Sequence, residues 1–261
     1  LSRPEYPRPF DNSAFRGVLY ELPDAVLDTV SLMSTLASGQ VGRLIRGTPT
    51  VIRSAHGIDE IRLDGAISVR ARCYILAAGQ GNGQLITDGG FNVPMQTRAL
   101  HQVKIKDKLP PLYAHAVSLK SRDKPRLTIT SHPCDDGDIV WYLGGALAES
   151  GVRRSENEQI AYCQSELKAL LPFVDLSDCR WATLRVDRAE FLQPDGSRPD
   201  APYCTRSGNV IFCWPTKLTL VPMLADQVRK LIGEQPGLAQ PLTDDINQAR
   251  LAETPWAAAF R

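Results

Sequence analysis

The segment Tyr74-Ile75-Leu76-Ala77-Ala78 is apolar at five consecutive positions and runs straight into Gly79-Gln80-Gly81-Asn82-Gly83. A strand with one wet face alternates polar and apolar residues, whereas a strand without alternation is covered on both faces. That is the habit of parallel sheets, whose strands need crossover connections, so this short run points to an α/β arrangement. The glycines that follow would let backbone approach a pyrophosphate closely. The pattern is incomplete, because its sixth position is Gln84 and no helix is expected before Pro94. By itself it describes a tight turn equally well.

On either side of this run the periodicity changes. A stripe of Leu22, Val26, Val30, Met33 and Leu36 predicts a helix that stops at Gly39. Short strands are expected at 43–46, 50–53, 58–63, 67–70 and 73–78, with Asp64-Gly65 as a hairpin turn. Over 94–145 the alternation in Val103–Lys106 and Arg126–Thr130, with the turn at Asp135–Asp138, predicts an antiparallel sheet. Ser155-Glu156-Asn157-Glu158 has the spacing of a capping box and opens a helix ended by Pro172. Strands at 183–186 and 210–213 lead to a last helix from Leu220 to Ile232, with Pro222 in its first turn and Gly233 beyond its end. Residues 1–14, rich in Pro, Arg and aromatics, suggest a surface arm.

Composition removes several function classes. The 261 residues carry 30 basic and 29 acidic side chains, a net charge of +1 that gives no reason to expect nucleic acid as a partner. No apolar run approaches the roughly 18–20 residues of a membrane span, so no transmembrane segment is expected. Six cysteines at 73, 134, 163, 179, 204 and 213 form no Cys-x-x-Cys pair. In a chain of this length without a leader they are expected to be reduced, which suggests a cytoplasmic protein and no metal site. The chain opens on Leu1, as though partway through something longer. The four histidines, 56, 101, 115 and 132, show no ligand spacing.

Two further places carry candidate chemistry. Trp214-Pro215-Thr216-Lys217-Leu218-Thr219 joins a strand to a helix N-terminus, where free N–H groups and the helix dipole favour an anion or a developing negative charge. A capped helix start with a solvated lysine is the plainer alternative. Arg185, in Trp181-Ala182-Thr183-Leu184-Arg185-Val186-Asp187, shares a strand face with Thr183, and its fork could hold a carboxylate or phosphate. A structural ion pair with Asp187 or Glu190 is its alternative.

The order of these features resembles the C-terminal two-thirds of FAD-dependent oxidoreductases of the D-amino-acid oxidase, glycine oxidase and glycerol-3-phosphate dehydrogenase superfamily. The likeness covers residues 40–233. It is carried by Ile75-Leu76-Ala77-Ala78-Gly79, the antiparallel sheet, Leu170-Leu171-Pro172, Trp181 to Arg185, Gly208-Asn209-Val210, and Leu218-Thr219 leading to Pro222. The family's opening Gly-x-Gly-x-x-Gly unit is absent, Arg185 is followed by Val186 where the family has proline, and the last loop lacks the family's glycines and histidine. The resemblance implies a mixed α/β fold of three segments. Residues 15–93 would be part of an FAD-binding layer, 94–190 an antiparallel substrate-binding domain, and 191–261 the return segment and terminal helix of the FAD-binding layer.

It also implies roles. Ala77, Ala78 and Gly79 would pass near the FAD ribose and pyrophosphate. Thr216, Lys217, Leu218 and Thr219 would face the flavin pyrimidine edge, and Arg185 would anchor an acidic substrate. The implied activity is oxidation of a small amino acid, hydroxy acid or phosphorylated polyol by hydride transfer to flavin N5. No catalytic base is singled out. FAD is expected in the parent enzyme, with weak or no binding by these 261 residues alone, which would then be inactive. Small molecules are the expected partners, and the oligomeric state is left open. The competing class is a non-enzymatic α/β module that binds a small molecule or a protein.

Overall fold

The computed structural model describes residues 1–2, 5–40, 43–117, 124–233 and 249–261. Residues 3 and 4 of the expected N-terminal arm lie outside that set. The elements are α1 (Thr29–Ser38), β1 (Pro49–Ser54), β2 (Gly57–Leu63), β3 (Ile67–Val69), β4 (Tyr74–Leu76), α2 (Asn82–Asp88), β5 (Met95–Asp107), β6 (Ala114–Ala116), β7 (Leu127–Pro133), β8 (Ile139–Gly144), α3 (Ala146–Ser150), α4 (Glu156–Leu170), β9 (Arg180–Phe191), β10 (Tyr203–Ser207), β11 (Val210–Trp214), α5 (Val221–Ile232) and α6 (Pro255–Ala258). The fold is mixed α/β, as the sequence suggested. Two compact units share the chain: Leu1–Thr35 with Ala99–Val186 and Leu251–Arg261, and Leu36–Arg98 with Asp187–Arg250. The division falls inside β5 and β9. Residues 15–35 and 251–261 therefore group with the antiparallel sheet, whereas the sequence segments had placed them with the flavin-side layer.

The first unit is built on the sheet β6-β7-β8-β5-β9. Antiparallel register sets Val103 opposite Leu143, Ile105 opposite Trp141 and Ile129 opposite Leu143. Because side chains alternate along a strand, these residues share one face, and each is at most 4% exposed. Helix α4 lays Cys163 and Leu167 on that face. Its start is the expected capping box: the Ser155 side chain accepts from the Glu158 amide, and the Glu158 carboxylate accepts from the Ser155 amide. The N-terminal arm is not purely superficial, as its composition had suggested. Phe10 and Phe15 join the same core and pack edge-on against Phe173.

The second unit holds two three-stranded sheets, β1-β2-β3 and β10-β11-β4. In the second of these, β11 runs parallel to β4 with Ile211 beside Ile75 and Phe212 beside Leu76. The start of the pair is locked by Asn209, whose Oδ1 accepts from the Ile58 amide (2.9 Å) and whose Nδ2 donates to the Ile58 carbonyl (2.8 Å). Gly208, at φ +60°, makes that approach possible, since a Cβ there would stand 2.0 Å from the His56 carbonyl oxygen.

Three expectations need correction. The helix predicted from Leu22 begins only at Thr29, because Asp28 caps it through the amides of Val30 and Ser31, and Leu22 and Val26 are exposed. Residues 43–46 give one bridge residue, not a strand. The run 73–78 is a parallel strand only over Tyr74–Leu76, and it ends its sheet among the described residues. Ile75 is consequently 43% exposed, while Tyr74 and Leu76 are buried, so the strand is covered on one face.

Candidate functional site

Parallel pairing sets the carboxyl ends of β4 and β11 side by side, and each end delivers a candidate segment. From β4 the chain enters Ala77-Ala78-Gly79, with Gly79 at φ +58°, and then a helical turn at Gly79–Gly81 that continues into α2. That helix was not expected. Five residues dominated by glycine have poor helix propensity, and burial of Leu85, Ile86 and above all Asn82 overrides it. Asn82 is fully buried. Its Oδ1 accepts from the Ala78 amide (2.9 Å), and its Nδ2 donates to the carbonyls of Leu76 (3.1 Å) and Cys213 (3.3 Å). One side chain thereby ties the end of β4 to the end of β11. Nothing in the sequence marked it except its position inside the glycine turn.

From β11 the chain enters the second segment. Trp214 is fully buried, and its Nε1–H donates to the Gly79 carbonyl (3.1 Å), a second tie between the two ends. Thr216 adopts φ +64°, unusual for a side chain with a branched Cβ. It is held there by its hydroxyl donating to the Ala201 carbonyl (3.3 Å) and by Arg198 Nη2 donating to its own carbonyl (3.4 Å). Lys217 is extended and exposed, and Leu218–Leu220 form a helical turn that leads into α5 with Pro222 at its start. The amides of Leu218 and Thr219 open this turn, where no carbonyl precedes them within the helix. Burial pushes the nearby Cys213 thiol up to about 11, so it presents no charge here.

The structure thus holds Gly79 against Trp214, at the end of the strand from which Thr216, Lys217, Leu218 and Thr219 continue. Ala77, Ala78, Lys217, Leu218 and Thr219 are all exposed, and a Cβ built on Gly79 would meet no atom within 4 Å. The result is an open rim of small residues and amides with one ammonium group beside it. Arg185 belongs to the other unit. It lies on β9, exposed, with Nη1 donating to the Val152 carbonyl (2.7 Å) and Nη2 to the Arg154 carbonyl (2.5 Å). Neither Asp187 nor Glu190 partners it. Glu190 is taken by Arg98 and Gln96. The sheet unit also has a cleft of about 550 Å³ lined by Leu171, Phe173, Leu176 and Trp181, and it contains none of the candidate residues. Among the described residues no cluster of metal-binding side chains is present, and no helix is long and apolar enough to cross a membrane. All six thiols are free.

Adjacent parallel strands that present a glycine turn and a helix N-terminus at one end are characteristic of α/β proteins that bind nucleotide cofactors. The chain is 39% identical over 263 residues to the FAD-dependent oxidoreductase PA4991 of Pseudomonas aeruginosa, covering 98% of this chain. The crystal structure of that protein matches this fold at a TM-score of 0.82, with 40% identity over 90% of this chain. This chain belongs to the family of that FAD-dependent oxidoreductase and spans 66% of its length. Iminodiacetate oxidase from Chelativorans sp. BNC1 matches at 15% identity and a TM-score of 0.45, over 78% of this chain and 53% of that one. No protein-family model matches the chain.

Proposed function

We propose that this chain carries the flavin-edge and substrate-side parts of an FAD-dependent oxidoreductase, and that it acts on a small acid: an amino acid, a hydroxy acid or a phosphorylated polyol. The observation that supports this most is the parallel pairing of β4 and β11, tied at its end by Trp214 and Gly79, because those two strands lead into 77–79 and 216–219. The donor set suits FAD. Exposed first-turn amides, the positive end of α5 and Lys217 place favourable potential where negative charge would build on a flavin pyrimidine edge. Ala77, Ala78 and Gly79 leave room for a ribose and pyrophosphate to approach the backbone.

Bound FAD supplies a two-electron acceptor, and the side chains of this chain supply orientation and charge. Asn82 and Trp214 keep the two rims in register, and the Thr216 contacts fix the amides that follow it. Arg185 is the proposed anchor for the acid group of the substrate. Among the described residues its given donations, to the Val152 and Arg154 carbonyls, use one hydrogen on each terminal nitrogen. The six free thiols fit a cytoplasmic setting.

A flavin fluorescence titration tests the cofactor assignment. With only these rim contacts, each worth about 1–3 kcal/mol against an association cost of at least ~4 kcal/mol, FAD should bind this chain at about millimolar or weaker. Gly79→Ala with Lys217→Met should abolish the quenching. Quenching unchanged in that double variant would remove 77–79 and 217 from the cofactor site.

A further inference from the structure

The face of the five-stranded sheet opposite the Trp141–Leu143 core is polar. Register places Lys104 beside Tyr142 and Tyr142 beside Thr130, so Gln102, Lys104, Thr130, His132 and Tyr142 share that face. Lys104 is 2% exposed, and its Nζ donates to a single backbone acceptor, the carbonyl of Pro255 (2.8 Å). No carboxylate among the described residues lies within ion-pair distance of it. The contrast with Lys106, two residues along the same face and paired with Asp136, is direct. Burial alone pulls the Lys104 ammonium below its ordinary range, with no nearby acid offsetting it. A buried cation without an anion is costly to keep, and such groups are normally paired.

A ring stands beside the ammonium, and neutral polar groups follow along the same face. The Tyr142 ring centroid is 5.8 Å from Nζ, and its hydroxyl donates to Gln102 Oε1 (2.6 Å), which leaves the Gln102 NH2 as a donor. His132 stacks on Trp256 at 3.8 Å between centroids. The cover is slight. Trp256 and Pro255 sit on the four-residue helix α6, capped by Thr254.

Resting on the reading above of a small acidic substrate, we propose that Lys104 is the floor of a binding site for a small carboxylate. Gln102, Tyr142, Thr130 and His132 continue the same polar face away from it, and the ligand takes the place of the Pro255 carbonyl on the ammonium. The carboxylate would exchange one neutral acceptor for a charged one, roughly doubling the strength of that bond. Arg185 and Lys104 are then two separate anchors, one exposed and one buried, with different ligands to lose on substitution.

The test is a titration of the whole chain with acetate and glycolate, and with acetamide as the neutral control, followed by heteronuclear NMR. Saturable shifts are expected at the Trp256 indole N–H and the His132 ring with millimolar affinity, and none with acetamide. Lys104→Met should weaken carboxylate binding at least ~10-fold with the remaining spectrum unchanged. Trp256→Ala, which removes the cover and not the floor, should tighten it severalfold and serves if the lysine variant does not fold. The site is wrong if no saturable shift occurs up to about 100 mM carboxylate, if Lys104→Met binds like the parent, or if Trp256→Ala leaves the affinity unchanged. The same samples titrated with FAD separate the two ideas. Flavin bound without carboxylate overturns this site alone. Carboxylate bound without any flavin leaves the site standing and counts only against the flavin rim at 77–79 and 216–219.

Discussion

Asn82→Ala should destabilise the protein out of proportion to the few atoms it removes. The side chain makes three hydrogen bonds, at 2.9, 3.1 and 3.3 Å, from a fully buried position. At a net ~0.5–1.5 kcal/mol each, with the Leu76 and Cys213 carbonyls left short of donors, the loss should total about 2–4 kcal/mol. Asn82→Asp separates hydrogen bonding from mere space filling. A carboxylate can still accept from the Ala78 amide, but it cannot donate to the two carbonyls, and its charge is repelled by them. The aspartate's folded-state pKa should therefore rise above the ordinary ~3.9. The unfolded state then loses the proton first as pH rises, so the variant should weaken further above about pH 4, while Asn82→Ala shows no such trend. The assay is urea unfolding by circular dichroism across that pH range, comparing midpoints at constant slope. A cost below ~0.5 kcal/mol for alanine, or identical pH profiles for the two variants, would refute the tie between β4 and β11.

Gly208→Ala should cost more than about 2 kcal/mol, since its Cβ would meet the His56 carbonyl at 2.0 Å in a left-handed conformation; the urea midpoint reads it. Burial raises the thiol pKa of Cys163, Cys179 and Cys213, to about 12 and about 11 for the last two, so none of the three should react with Ellman's reagent near pH 8 until urea unfolds the protein. Burial lowers the His132 pKa from the ordinary 6.5, against a smaller opposing pull from Asp28. Between the folded and ordinary values the unfolded state binds more protons, so His132 erodes stability as pH falls through 6.5 and stops mattering above it. Thermal melts of His132→Gln should lose that part of the acid sensitivity.

The features legible in the sequence were those written in short-range pattern. The Ser155–Glu158 capping box and the alternation in 103–106 and 126–130 are local, and the structure contains them. Helix α2 was not legible, because it depends on where Asn82 is buried and on what β11 offers it, 131 positions away. Helix α1 was overextended because its stripe continued through residues that no core receives. None of its own residues is buried either, so periodicity there had no packing behind it. The segments at 77–79 and 216–219 are legible as two separate pieces, a glycine turn after a strand and a helix N-terminus, and the resemblance implies their flavin roles. Their adjacency follows from the register of Ile75 on Ile211, which no spacing encodes. Lys104 was invisible as a site residue for the same reason. Tyr142 reaches it, and Thr130 and His132 share its face, only through strand pairing, and an alternating lysine in a strand ordinarily faces water.

The most direct test of the account is a map of amide shifts on the isotopically labelled 261-residue chain as FAD is added. The predicted result is that shifts concentrate at Ala77, Ala78 and Gly79 and at Thr216, Lys217, Leu218 and Thr219, both groups moving along one saturation curve. Shifts confined to one group, or a map centred elsewhere in the chain, would contradict the claim that two strand ends form a single flavin-binding rim.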